Sequence, residues 1–145
     1  MTIIDLNLLL CVVNADAPQH DRARGWWEAA INDEEPLALP WVVVLGFLRL
    51  STNPRVFPSP LSTRAAVDRV EKWLSQPSVR IVREKDDHWG TLARLLADSG
   101  TAGNLTTDAH LAALAITHDA TLMSTDADFG RYPQLRWKNP LKRHA

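Results

Sequence analysis

The chain has 145 residues, 46% of them apolar and 23% charged, which suits one compact domain over residues 1–145 with a core of its own. Lysine and arginine number 16 against 17 aspartates and glutamates, for a net charge of −1. That balance excludes a globally cationic nucleic-acid binder, so any polyanion must be met by a local patch or through metal ions. No run approaches the roughly 18 apolar residues that a membrane span needs. Cys11 is the only cysteine, which excludes an internal disulfide framework and fits a reducing cytoplasm.

In chain order, Met1–Ile4 is a short strand candidate, and Asp5 follows it as the cap of a helix through Leu6–Val13. This opening stretch has no basic leader or cleavage site and is not read as a signal peptide. Pro18 opens an amphipathic helix over residues 19–32 with Ala23, Trp26, Trp27, Ala30 and Ile31 on one face. Pro36 and Pro40 bracket a short strand, and the twelve residues WVVVLGFLRLST from Trp41 are read as a buried helix because they run long for a strand. TNPRVFPSPLS is a Pro-rich surface excursion. Ser62 caps a helix to Ser75, VRIV at 79–82 is a strand, and Asp86 or Asp87 opens a helix that Gly100 ends. After a turn at Gly103 and Asn104 come a helix over Thr107–His118, a buried strand at 120–124, a short helix from Asp126 to Arg131 and a last short strand at 135–137. The order predicts an α/β fold with a doubly wound sheet.

Four aspartates stand out by their position. Asp5 and Asp126 each follow an apolar strand, Asp108 opens a helix, and Asp128 lies two residues beyond Asp126. Any one of them suits a helix cap, worth about 0.3–1 kcal/mol through the dipole. As a set they lie where the loops at the carboxyl ends of parallel strands converge. Thr106 and Thr107 are predicted to cap the last long helix, which leaves Asp108 free for another role. Carboxylates gathered without a histidine or cysteine cluster suit Mg²⁺ or Mn²⁺, and such ions serve chemistry on phosphates.

DLN at 5–7, GNLTTDAHLAALA at 103–115 and LMSTDADFGRYPQLRWKNPL at 122–141, in that order, resemble PIN-domain ribonucleases. They are most similar to the VapC toxins of bacterial toxin–antitoxin pairs, in particular the mycobacterial-type branch, which GFLRLSTNPRVF at 46–57 also resembles. The resemblance covers Ile3 to Leu141. It implies a three-layer α/β/α domain with a central, mostly parallel sheet. It also implies a metal-dependent endoribonuclease acting on structured RNA such as tRNA or rRNA, a homodimer, and inhibition by a VapB-type antitoxin. Asp5, Asp108 and Asp126 match the family's catalytic, metal-binding acids, and Asp128 is a further carboxylate for a second ion. One departure is Gly46, which stands where many PIN domains carry a glutamate. The expectation is one tight ion at Asp5 and Asp108, with any second ion weak until substrate arrives.

Supporting residues have two readings each. Asn7 either orients Asp5 or a metal-bound water, or closes a local helix-start bond. Thr107 and Thr125 either cap or bind a carboxylate, water or phosphate. Arg49 and Arg55, with Lys138, Lys142 and Arg143, either contact RNA phosphates or form a solvated face. His110 is read as packed or partner-facing, and His88 as structural. Most of the six tryptophans are assigned to the core, with Trp27 and Phe57 as candidate partner contacts. Two other functions compete: a PIN-like module without catalysis, acting through antitoxin binding and transcriptional autoregulation, and a phosphatase using Asp5 as nucleophile. The second lacks an aspartate at position 7.

Overall fold

The computed structural model describes residues 1–100 and 103–142, so Arg143 lies outside the described residues. Strand β1 (Thr2–Ile4) leads through helices α1 (Leu6–Val13) and α2 (His20–Ile31) to β2 (Leu37–Pro40). Helices α3 (Trp41–Ser51) and α4 (Thr63–Leu74) then lead to β3 (Val79–Val82). Helices α5 (His88–Ser99) and α6 (Thr106–Thr117) return the chain to β4 (Thr121–Met123), and a 3-10 turn over Ala127–Arg131 precedes β5 (Arg136–Lys138).

All strand pairs are parallel, in the order β3-β2-β1-β4-β5. Right-handed crossovers toward β2 and β3 carry α1–α4 over one face, and the return toward β4 and β5 carries α5 and α6 over the other. The packing agrees, with α1 against α2 and α3, α3 against α4, and α5 against α6. This is the expected three-layer α/β/α arrangement, with the sheet wholly parallel. The direction of winding reverses between β1 and β4. Open α/β sheets bind their ligands in the crevice at such a switch point.

Central strands buried on both faces read as continuous apolar runs, and Ile3, Ile4, Ala38, Leu39 and Leu122 are fully buried. The long apolar segment after Pro40 is a helix, as its length predicts, with Val43, Val44, Gly46 and Phe47 inside. Ser62 caps α4 through a bond from Ala65 N, and Gly100 ends α5 in the left-handed conformation at φ 69°. Two predicted caps differ. Thr106 and Thr107 lie inside the first turn of α6, because a 3-10 turn at Gly103–Leu105 feeds that helix and puts Leu105 at its N-cap. Asp87 occupies the N-cap of α5, but its side chain makes no capping bond.

Candidate active site

Backbone register builds the site. Ile4 pairs with Met123, so the next residues, Asp5 and Ser124, leave the sheet side by side. Asp5 N donates to Met123 O at 2.9 Å and holds the ends of β1 and β4 together at the carboxyl edge. The Asp5 side chain is buried, and each of its oxygens accepts one hydrogen bond. Its Oδ1 accepts from Leu6 N at 2.7 Å, and its Oδ2 accepts from the Ser124 hydroxyl at 2.6 Å. Asp5 is thus a helix cap and a site carboxylate at once.

Ser124 is the hub of this corner. Its hydroxyl donates to Asp5 and accepts from Asp126 N at 3.0 Å and from Asn7 Nδ2 at 3.2 Å. Asn7 therefore acts on Asp5 through Ser124, and its Oδ1 receives Thr125 N at 3.5 Å. Trp137 Nε1 closes the corner from β5 with a bond to Ser124 O at 3.1 Å. Sequence reasoning passed over Ser124 as the end of a strand. The signal was present, because Ser124 opens the S-T-D element that ends at Asp126.

A cavity of about 310 Å³ opens at the switch point. Asp5, Asn7, Thr107, Asp108 and Asp126 supply its polar wall, and Leu6, Leu10, Val42, Val43, Leu50 and Leu111 its apolar wall. Residues 121 positions apart along the chain at most are thereby brought to one space. Asp126 Oδ1 accepts from Asp128 N at 2.9 Å and caps the 3-10 turn. Asp128 lies outside the cavity wall, its carboxylate paired with Arg131 Nη2 at 3.5 Å. Arg49 and Arg55 are solvent-exposed and line no part of the cavity.

The charges resist one another. Burial first, then Asp126, Asp5 and Asp128, push the Asp108 carboxyl up to about 6, against a smaller downward pull from Arg131. Burial also raises Asp5, opposed by its bonds from Ser124 and Leu6. A divalent cation would relieve this repulsion, and oxygen donors of this kind suit Mg²⁺ or Mn²⁺. Among the described residues no three acidic, histidine or cysteine side chains form a ready cage.

At Gly46 the end of the Leu6 side chain takes up the space beside the backbone. A Cβ there would lie 2.6 Å from Leu6 Cδ2. The α3 wall of the cavity carries no carboxylate, and a side chain at Gly46 would require the end of the Leu6 side chain to shift. Two predicted partner contacts are instead core. Trp27 is 4% exposed and packs edge-on against Trp73 at 5.6 Å, and Phe57 in the Pro-rich loop is 2% exposed. The solvent-facing aromatics are Trp41 at 47% and Trp89 at 70%. His88 is buried, with its Nε2 2.9 Å from His110 Nδ1, and Glu84 approaches His110 Nε2 at 3.6 Å. Both histidines join α5 to α6 away from the cavity wall.

Known proteins resemble the chain over nearly its whole length. A profile of the PIN domain matches residues 2–135. Ribonuclease VapC33 of Mycobacterium tuberculosis (strain ATCC 25618 / H37Rv) is 42% identical over 142 residues, which is 98% of this chain and 99% of that protein. VapBC2 from Rickettsia felis, solved bound to a DNA fragment from its promoter, superposes with a TM-score of 0.70 at 18% identity, covering 95% of this chain and 97% of the other. Mycobacterium tuberculosis VapC20, a sarcin-ricin loop cleaving toxin, gives a TM-score of 0.66 at 19% identity, covering 90% and 94%. At those two identities the likeness is one of fold.

Proposed function

The chain belongs to the PIN-domain family, among its VapC ribonucleases, and from that premise we propose that it is the toxin of a type II toxin–antitoxin pair. In this reading it is a single-domain endoribonuclease that hydrolyses phosphodiester bonds in structured RNA with the aid of Mg²⁺ or Mn²⁺. The observation that carries it is the meeting of Asp5, Asp108 and Asp126 in one cavity at the sheet's switch point. The sarcin-ricin loop activity of a protein of the same fold supports a structured RNA substrate. The pairing of a fold neighbour with its antitoxin supports a VapB-type partner. An exposed apolar strip on α3, Trp41 with Leu45 one turn later, supports assembly with a second copy. No helix among the described residues is long and apolar enough to cross a membrane, and we place the toxin in the cytoplasm, where its lone cysteine stays reduced.

Asp5, Asp108 and Asp126 would hold the cation, with Asp128 at the rim. When bound, the cation lowers the pKa of water and offsets the charge that grows on the phosphate as one ribose oxygen leaves. The chain's own residues prepare for it. Ser124 fixes the Asp5 carboxylate in one rotamer, and Asn7 fixes Ser124. The apolar wall, from Leu6 through Leu111, displaces water and lowers the local dielectric, so each charge at the site acts more strongly.

The test is to map RNA ends in cells that briefly express the chain or its Asp5→Asn variant. New ends should appear with the first and vanish with the second, while both proteins fold. Equal cleavage by Asp5→Asn would remove the mechanism. Cleavage of purified RNA that stops on chelation and returns with Mn²⁺ would exclude the module without catalysis.

A further inference from the structure

RNA brings negative charge to a mouth already lined by carboxylates, and the chain as a whole carries −1. A bound cation offsets part of this repulsion, but fixing the direction of a phosphodiester needs a donor with directional geometry. Arg131 is the residue in place to supply it. It lies just beyond the cavity wall, at the end of the 3-10 turn Ala127–Arg131 that the wall residue Asp126 caps, and its charge pulls the Asp108 carboxyl downward. It also acts on the neighbouring Tyr132 hydroxyl, together with Asp108 and Asp128.

Arg131 does not swing freely. Its Nε donates to the Asp128 carbonyl at 3.0 Å, and its Nη2 stands 3.5 Å from the Asp128 carboxylate. The Arg131 side chain is 31% exposed against 58% for Asp128, so the aspartate is the outer member of the pair. Two of the three guanidinium nitrogens face Asp128, and Nη1 keeps both of its N–H groups for another acceptor.

We propose that Arg131 binds an RNA backbone phosphate at the mouth of the cavity, and that Asp128 is a positioning residue that aims its guanidinium. This deepens the nuclease reading and rests on it. It gives Asp128 a task other than holding the cation.

The experiment compares Arg131→Gln, Arg131→Lys, Asp128→Asn and the double variant, each also carried in an Asp5→Asn background. Binding of a fluorescein-labelled oligouridine is read by anisotropy across a salt series, and Mn²⁺ binding is read separately with Asp5 intact. Arg131→Gln should weaken oligouridine about tenfold and reduce the salt slope by about 0.7. Mn²⁺ affinity should stay within about twofold in every variant, against the 10–100-fold loss typical of a disturbed metal site. Asp128→Asn should weaken RNA binding less, and it should add nothing once Arg131 is gone. In cleavage assays the loss should appear in KM more than in kcat.

Unchanged oligouridine affinity and salt slope in Arg131→Gln would overturn the proposal. So would a tenfold loss of Mn²⁺ affinity in Asp128→Asn, which would assign that carboxylate to the ion. Should Arg131→Gln fail to fold, Arg131→Lys carries the test, because it keeps the charge but loses the planar fork. Weaker RNA binding there upholds the proposal, and unchanged binding overturns it. Oligouridine binding is read without cleavage. A result against Arg131 therefore leaves the nuclease reading standing, and cleavage by Asp5→Asn would strike that reading alone.

Discussion

On the flank of the sheet Trp73 meets Trp27 edge-on at 5.6 Å and Phe47 at 4.8 Å, with Trp26 tilted against Trp27 at 6.0 Å. At the mouth of the same sheet, Asp5 and Asp108 are held where burial and neighbouring carboxylates raise both above their ordinary range. The flank gathers groups that attract one another and lose water gladly. The mouth gathers groups that repel one another, a repulsion that a bound cation would relieve. If the mouth is the active site, as proposed, stability and function are carried by different regions of the molecule, and substitutions should separate them.

The largest separation is expected at Asp108. Asp108→Asn should cut cleavage by a factor on the order of a thousand, as loss of a metal-holding charge would. The same change removes mutual repulsion, so its melting temperature without metal should equal or exceed that of the parent at neutral pH. A melting temperature several degrees lower would show that Asp108 supports the fold and would break the comparison. Trp73→Ala tests the other end. Loss of a buried aromatic costs about 3–5 kcal/mol, so denaturant unfolding should shift strongly, while the rate per folded molecule stays near that of the parent.

Ser124→Ala sharpens the contrast, because Ser124 belongs to the core by burial and to the mouth by chemistry. It should weaken Mn²⁺ binding about 10–100-fold by freeing Asp5, as loss of outer partners does at other metal sites. Binding that matches the parent would show that Leu6 N alone orients the carboxylate.

The smallest effect is one of pH. Asp108 titrates near 6 in the folded chain against 3.8 as an ordinary aspartate. Folded molecules thus hold a proton that unfolded ones have lost, and this stabilising term is fully present below 3.8 and lost as pH rises through about 6. Cleavage should move the opposite way and rise through the same window, as the carboxylate able to hold a cation appears. Melting temperatures and initial rates over a pH series would check both slopes. Asp108→Asn should flatten the first.

Much of this was legible along the chain. The alternation of short apolar strands with capped helices predicted the order of elements, because helical periodicity and capping are encoded within a few residues. Asp5, Asp108 and Asp126 were legible for a related reason, since each stands just after a strand or at a helix start, where an open sheet exposes its crevice. What a window of sequence could not hold was partnership. Ser124 and Asp5 are 119 residues apart and meet only through the β1–β4 register. Trp27 looked available for a partner, but it is buried, with its ring against Trp73 of α4. Gly46 read as a missing glutamate, and only the tertiary structure shows that the end of the Leu6 side chain lies against it.

The sequence by itself determined the winding of the sheet and which carboxylates would stand at its mouth, because both follow from local pattern and chain order. The tertiary structure alone decided how those carboxylates differ. Asp5 is locked by Ser124, Asp108 is left in a field of like charge, and Asp128 lies outside the cavity wall, paired with Arg131. Those differences depend on distances between residues far apart in the chain, and electrostatic energy is set by distance and burial rather than by residue type.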